Sequence, residues 1–235
     1  MARITRKELK SDKFAQEVGL TVTFFEEHQK DVVRYGGIGL AVVLLIGGFV
    51  VYQRHEHAAR QEELAGAIRI QETPVAPVGS VPAGGQTFPT QDVKDQVAIK
   101  AFADLESKHS GSDEAQIAEY YLGCIHSDQG KLADAEKNFL NVGDHGSKNY
   151  ASLAKIALAE IYFSESRFDQ GEKLLRDLME HPTVLVSKDQ AALALAKHYI
   201  GRNNAEARKL LAPIKDGRSP VATIAQTMSS QLPPQ

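Results

Sequence analysis

The chain has 235 residues, a formal net charge of −3 and 24% charged residues, so it offers no basic surface of the kind that neutralises nucleic-acid phosphates. Its single cysteine, Cys124, excludes an internal disulfide and a cysteine-based metal site. The length suits one medium-sized domain with appendages.

Residues 1–34 read as a charged tail, in which Phe14, Val18, Val22 and Phe25 follow helical spacing. Residues 35–53, YGGIGLAVVLLIGGFVVYQ, carry no charge and stand between Arg34 and Arg54. As a helix this stretch would reach about 28 Å, close to the hydrocarbon thickness of a bilayer, with Tyr35 and Tyr52 at its two ends. A transmembrane helix is expected here. The preceding polar stretch is too long for the n-region of a cleaved signal, and His57 and Ala59 do not form a small-residue cleavage site. Arg3, Arg6, Lys7, Lys10, Lys13, Lys30 and Arg34 precede the span, while Arg54, Arg60 and Arg69 follow it. The bias favours a cytoplasmic N-terminus with the bulk of the chain on the far side, although the nearest 15–20 or so residues on the two sides are nearly balanced.

Residues 54–72 continue as a polar helix marked by Ala58, Leu64, Ala67 and Ile68. Residues 73–91, TPVAPVGSVPAGGQTFPTQ, hold four prolines and three glycines and read as a flexible linker or insertion. Helical periodicity resumes at Asp92, with Val97, Phe102 and Leu105 on one face, and residues 92–235 are expected to form one helical domain. Ser112 ahead of Asp113 and Glu114 reads as an N-cap. Ser187 with Gln190, and Asn203 with Glu206, have capping-box spacing, and Ser219-Pro220 reads as N-cap followed by an N1 proline. A last helix with Val221, Ile224, Ala225 and Met228 on one face would close the domain.

A repeat runs through this domain. YLGCIHSDQGKLADAEKNF from Tyr121 to Phe139 returns as ALAEIYFSESRFDQGEKLL from Ala157 and as ALAKHYIGRNNAEARKLL from Ala194. Leu122 aligns with Leu158 and Leu195, and Gly123 with Ala159 and Ala196. His126 aligns with Tyr162 and Tyr199, Ala135 with Gly171 and Ala207, and Phe139 with Leu175 and Leu211. Spacings of 36 and 37 residues built from two helices imply a helical repeat in which small residues let paired helices approach and large ones fill the space beside them.

This pattern resembles the tetratricopeptide repeat. It lacks the expected tryptophan, and its loops are longer than usual. The resemblance implies an all-α fold: an N-terminal transmembrane helix followed by a TPR-like α-solenoid of helical hairpins. It also implies a concave face made by the first helix of each hairpin. On this chain that face would carry Ile117, Tyr120 and Cys124, then Leu153, Ile156, Glu160 and Phe163, then Leu193, Lys197 and Ile200. The face is mostly apolar, which disfavours docking of an acidic C-terminus and suits a partner helix or an unfolded segment. Alternatively, one of the chain's own helices (54–72, 92–109 or 220–230) fills it.

No catalytic constellation is found. Arg54-His55-Glu56-His57 resembles part of a zinc-protease motif, but Ala59 stands where its second histidine belongs. No enzymatic activity, cofactor, metal site or small-molecule substrate is expected.

The whole layout, and the stretch FFEEHQKDVVRYGGIGLAVVLLIGGFVVYQRHEHAARQEELAGAI in particular, resembles the bacterial ancillary SecYEG translocon subunit family (YfgM-like). That resemblance implies a single-pass protein of the bacterial inner membrane with a periplasmic C-terminal domain. It implies two protein partners, the Sec translocon and a membrane-anchored periplasmic chaperone. The Pro-rich segment and the basic residues 1–13 depart from it. An envelope scaffold for cell division or outer-membrane assembly is the alternative. A membrane-bound hydrolase with a TPR-like support domain is the reading from a different class.

Overall fold

The computed structural model describes residues 29–76, 86–217 and 221–233. The helical tail expected around Phe14 to Phe25, most of the Pro-rich segment and the Ser219-Pro220 cap lie outside the described residues. The chain divides into two compact units, Met1–Ala59 and Arg60–Gln235.

Helix α1 (Gln29–Glu72) contributes to both units. Within the first unit it contains the apolar stretch, with a mean hydropathy of 2.1, long and apolar enough to cross a membrane. Its large side chains from Tyr35 to Tyr52 point outward, Leu45 at 74% exposure. Aqueous surfaces rarely carry so long an unbroken apolar patch.

The second unit continues with α2 (Gln91–Lys108), α3 (Asp113–Asp128), α4 (Leu132–His145), α5 (Lys148–Ser164), α6 (Phe168–Glu180), α7 (Lys188–Tyr199), α8 (Asn204–Lys215) and α9 (Ala222–Ser230). From α2 to α9, each helix packs on the next. Among the described residues the fold is all-α, with the apolar N-terminal helix followed by a TPR-like α-solenoid. The hairpins are α3/α4, α5/α6 and α7/α8. Turns of three or four residues close each of them, short enough to force antiparallel neighbours.

The compact unit starts at Arg60, well before residue 92, where the sequence placed the domain boundary. Leu64 and Ala67 of α1 share one buried cluster with Ala98, Phe102 and Leu105 of α2 and with Ala115, Ala118, Leu122 and Ile125 of α3. Lys108 Nζ donates to Glu63 at 2.8 Å, and Lys94 Nζ to the Gln71 carbonyl at 2.9 Å. These contacts run in opposite directions along the two helices, so the end of α1 and α2 form an additional antiparallel pair. The Pro-rich segment is therefore an insertion inside a hairpin, closed at its base where Phe88 N donates to the Pro74 carbonyl and Ala76 N to the Phe88 carbonyl.

Two expected core positions shift by one residue. Val97 is 40% exposed, and Ala98 takes the core position in register with Phe102 and Leu105. Likewise Ile224 is 51% exposed, while Val221, Ala225 and Met228 pack against α8, followed by buried Leu232. In both helices the smaller neighbour completes the helical spacing of 3, 4 and 7 that faces the core. A last contact, from Arg208 to the Pro233 carbonyl, ties the chain end to α8.

The caps are built from the expected residues. Ser112 Oγ accepts from Ala115 N at 3.1 Å, and Ser187 and Gln190 form the full reciprocal box. Asn203 makes half of its box: its Oδ1 accepts from Glu206 N at 3.2 Å, while the Glu206 carboxylate is drawn instead to Lys209 Nζ at 2.6 Å.

The α3–α4 turn passes through Gly130 at φ 72°, and the equivalent residue of the α5–α6 turn is Ser166 at φ 64°. A side chain in left-handed backbone costs about 1–2 kcal/mol, which glycine's larger unfolded-state entropy only partly cancels. Ser166→Gly should therefore stabilise the domain by about 0.5–1 kcal/mol, read as a raised midpoint of thermal unfolding. A lowered midpoint would mean that the Ser166 side chain stabilises the turn.

Candidate functional site

The first helices of the three hairpins, α3, α5 and α7, stand side by side, with α5 touching both of its neighbours. Their shared face changes character along the stack. Between α3 and α5 it is aromatic. Tyr120 lies edge-on to Tyr150 at 5.6 Å and to Tyr121 at 5.8 Å, and Tyr121 stacks on Phe102 at 5.0 Å. Burial, followed by the neighbouring Cys124, pushes the Tyr120 hydroxyl far above its usual range, and burial raises Tyr121 and Cys124 as well. These groups stay neutral at working pH. They supply ring area and hydroxyl hydrogen bonds rather than charge.

Between α5 and α7 the face is part aliphatic and part ionic. Leu153 and Ile156 are half-buried and pack into the cluster around Leu195. Glu160 on α5 accepts from Lys197 Nζ at 3.4 Å and lies 3.0 Å from His198 Nε2, both on α7. Leu193 and Ile200 are half-buried against the last core cluster, and Ile117 against the first. Of the positions expected on the concave face, all but one are thus half-buried or exposed. The apolar cluster that holds Leu153 and Ile156 draws its described members from α5 to α8 and their connections, and none from 54–72, 92–109 or 221–230.

Phe163 is the exception and corrects the expectation. It is buried at 7% exposure. Its ring fills a slot above Gly171, where an added Cβ would lie 2.8 Å from a ring carbon, and stacks on the His198 ring at 3.8 Å. Phe163 comes one turn after Ala159 and points into its own hairpin because Gly171 leaves space there. The first hairpin is filled the other way round. Gly123 sits on its first helix, and a Cβ there would lie 2.6 Å from the Phe139 ring of its second helix.

The repeat positions also link one hairpin to the next. Tyr162 of α5 stands near Glu136 of α4, and Tyr199 of α7 near Glu172 of α6, and after burial the carboxylate is the largest cause that raises each phenol. Each glutamate follows the small residue of its second helix, Ala135 or Gly171. Arg167 reinforces the first link with two contacts to Glu136 at 2.8 and 2.9 Å while lying 4.0 Å over the Tyr162 ring. The Arg167 guanidinium holds the Glu136 carboxyl below its usual range, against the opposing effect of burial. His126, at the tyrosine position of the first copy, instead bonds Asn138 inside its own hairpin at 3.0 Å.

Where the end of α5 and the start of α6 meet the α7–α8 turn, a pocket of about 210 Å³ opens. Phe163, Phe168 and Leu195 wall it, and Tyr199 and Arg202 stand among the residues around it. The Arg202 guanidinium sits 3.1 Å over the Phe168 ring. Sequence reasoning missed this pocket, because Arg202 lies in a turn and Phe168 opens α6, both outside the aligned repeat positions. It also missed Tyr121, Tyr150 and His198 on the shared face. Tyrosines clustering at the starts and middles of first helices were the available signal.

A family model described as a tetratricopeptide repeat-like domain matches residues 23–183, more than half of the chain. The chain belongs to that family. No curated protein and no solved structure matches it. The tetratricopeptide repeat-like match begins ahead of the apolar stretch, includes the pair formed by α1 and α2, and ends after α6, so α7 to α9 extend the stack beyond it. Stacks of this class are protein-interaction modules, and a face of half-buried apolar groups with neutral tyrosines is suited to that task.

Proposed function

We propose that the chain is a membrane-anchored protein-interaction module of the bacterial cell envelope that assists Sec-dependent protein export or a periplasmic chaperone network. Its apolar stretch crosses the inner membrane once, its N-terminus lies in the cytoplasm, and its repeat domain lies in the periplasm. Its partners are the Sec translocon and a periplasmic chaperone. The observation that carries the interaction role is the face of α3, α5 and α7. There uncharged tyrosines and half-buried aliphatic groups stand ready for a partner segment, with Glu160, Lys197 and His198 as a polar margin. The envelope setting is supported by the apolar stretch and by the resemblance of residues 24–68 to the translocon-subunit family.

Photo-crosslinking amino acids placed at Ile156 and Lys197 test this in native membranes. The expected products contain a translocon subunit or a periplasmic chaperone and vanish when the residue is placed on exposed Lys137 of α4 instead. Products with division or outer-membrane assembly proteins would redirect the function to an envelope scaffold. Crosslinks that form equally from Lys137 would remove the assigned face. In spheroplasts, added protease should degrade the chain beyond Arg54, and its protection would reverse the orientation.

A further inference from the structure

The pocket at the α7–α8 turn has a chemistry distinct from the shared helix face. Its volume of about 210 Å³ is below the roughly 300–1,000 Å³ of sites that enclose a small molecule or cofactor. It is the right scale for one inserted side chain. Two aromatic rings and a leucine line its apolar wall, the environment in which interface anchors bind.

The charges beside it are unequally committed. Glu172 accepts from Arg176 Nε at 2.7 Å. Glu160 is engaged by Lys197 and His198. Asn203 caps α8. Arg202 alone of the charged residues lining the pocket is exposed and forms no ion pair among the described residues, yet it is positioned, because its guanidinium lies over the Phe168 ring. Its donors remain available for a bidentate carboxylate contact at the rim.

We infer that this pocket takes one large apolar side chain of a partner polypeptide, with an acidic residue next to it in the partner engaging Arg202. The inference rests on the reading of the chain as a protein-interaction module and names a recognition element within it. The acidic neighbour provides specificity, since a basic one would meet Arg202 as a like charge.

The test uses the full chain in nanodiscs and fluorine NMR titration of two capped peptides, Asp-Phe-Asp and Lys-Phe-Lys, each with 4-fluorophenylalanine at the centre. The acidic peptide should bind at least ten-fold more tightly than the basic one, and an Asp-Ala-Asp peptide should fail to displace it. Arg202→Gln should level the two affinities, and Arg202→Glu should reverse their order. Equal binding of both peptides, or a preference that survives Arg202→Glu, would overturn the inference. Hexanoate binding in place of the peptides would also overturn it, in favour of a small aliphatic acid. The Lys197 photo-crosslinks separate this inference from the broader one. If they persist while the peptides show no preference, the pocket assignment fails and the interaction module stands. If they are absent from the wild-type chain, the module reading fails first.

Discussion

Replacing Gly123 with leucine should lower the stability of the repeat domain by roughly 3 kcal/mol. An added Cβ at this position would lie 2.6 Å from one carbon of the Phe139 ring and 2.9 Å from another, well inside contact distance. The ring cannot move aside easily, because Phe139 is only 1% exposed and packs with Ala135, Val142 and Leu158. Even Gly123→Ala, which gains about 1 kcal/mol of helix propensity, should be destabilising. The second hairpin suggests the cure. Ala159 and Leu175 occupy the equivalent positions, both buried. Combining Gly123→Ala with Phe139→Leu reproduces that pairing, and the double variant should be more stable than the sum of the single changes allows, by about 1 kcal/mol. Thermal unfolding of the four proteins measures the coupling. Strict additivity would show that the two positions do not touch.

This exchange of large and small residues explains what could be read from the sequence. The hairpins were legible because Leu122/Gly123, Leu158/Ala159 and Leu195/Ala196 recur at nearly constant spacing, and all six are buried. The same logic contained a further signal. Ala98 and Phe102 are four apart, as are Ala135 and Phe139, Gly171 and Leu175, and Ala207 and Leu211. That series marks α2 as the second helix of an additional pair, a relation hidden by the Pro-rich insertion between α1 and α2. The insertion separates Ala67 from Ala98 by 31 residues, whereas Gly123 and Ala135 are 12 apart.

The shared face was legible only in part, for a physical reason. Periodicity identifies the side of a helix that faces its partner but not how far a large side chain reaches around it. Tyr162 and Tyr199 could be aligned, but their approach to Glu136 and Glu172 depends on how successive hairpins are offset. Arg202 and Phe168 come together through turn geometry, which has no helical period. The apolar stretch lies at the other extreme, because its signal is uniform composition and needs no packing partner.

Phe163→Asp should cost the domain about 4 kcal/mol or more. Removing the ring alone opens the slot above Gly171 and strips the stacking partner from His198. Truncation of a buried phenylalanine of this kind costs about 3–5 kcal/mol. The new carboxylate adds the cost of leaving water, and His198, whose ring stacks on Phe163, offers little relief because it already engages Glu160 at 3.0 Å. Ile156→Asp is the contrasting change. Ile156 is half-buried on the shared face, so its loss should cost only about 1–2 kcal/mol. The midpoint of unfolding should therefore fall much further for Phe163→Asp than for Ile156→Asp. Equal midpoints would return Phe163 to an open surface and undo the packing described for the second hairpin. The milder variant then becomes the functional probe. A folded Ile156→Asp protein that loses its Lys197 crosslinks has lost a partner contact, whereas one that retains them places the contact elsewhere on the stack.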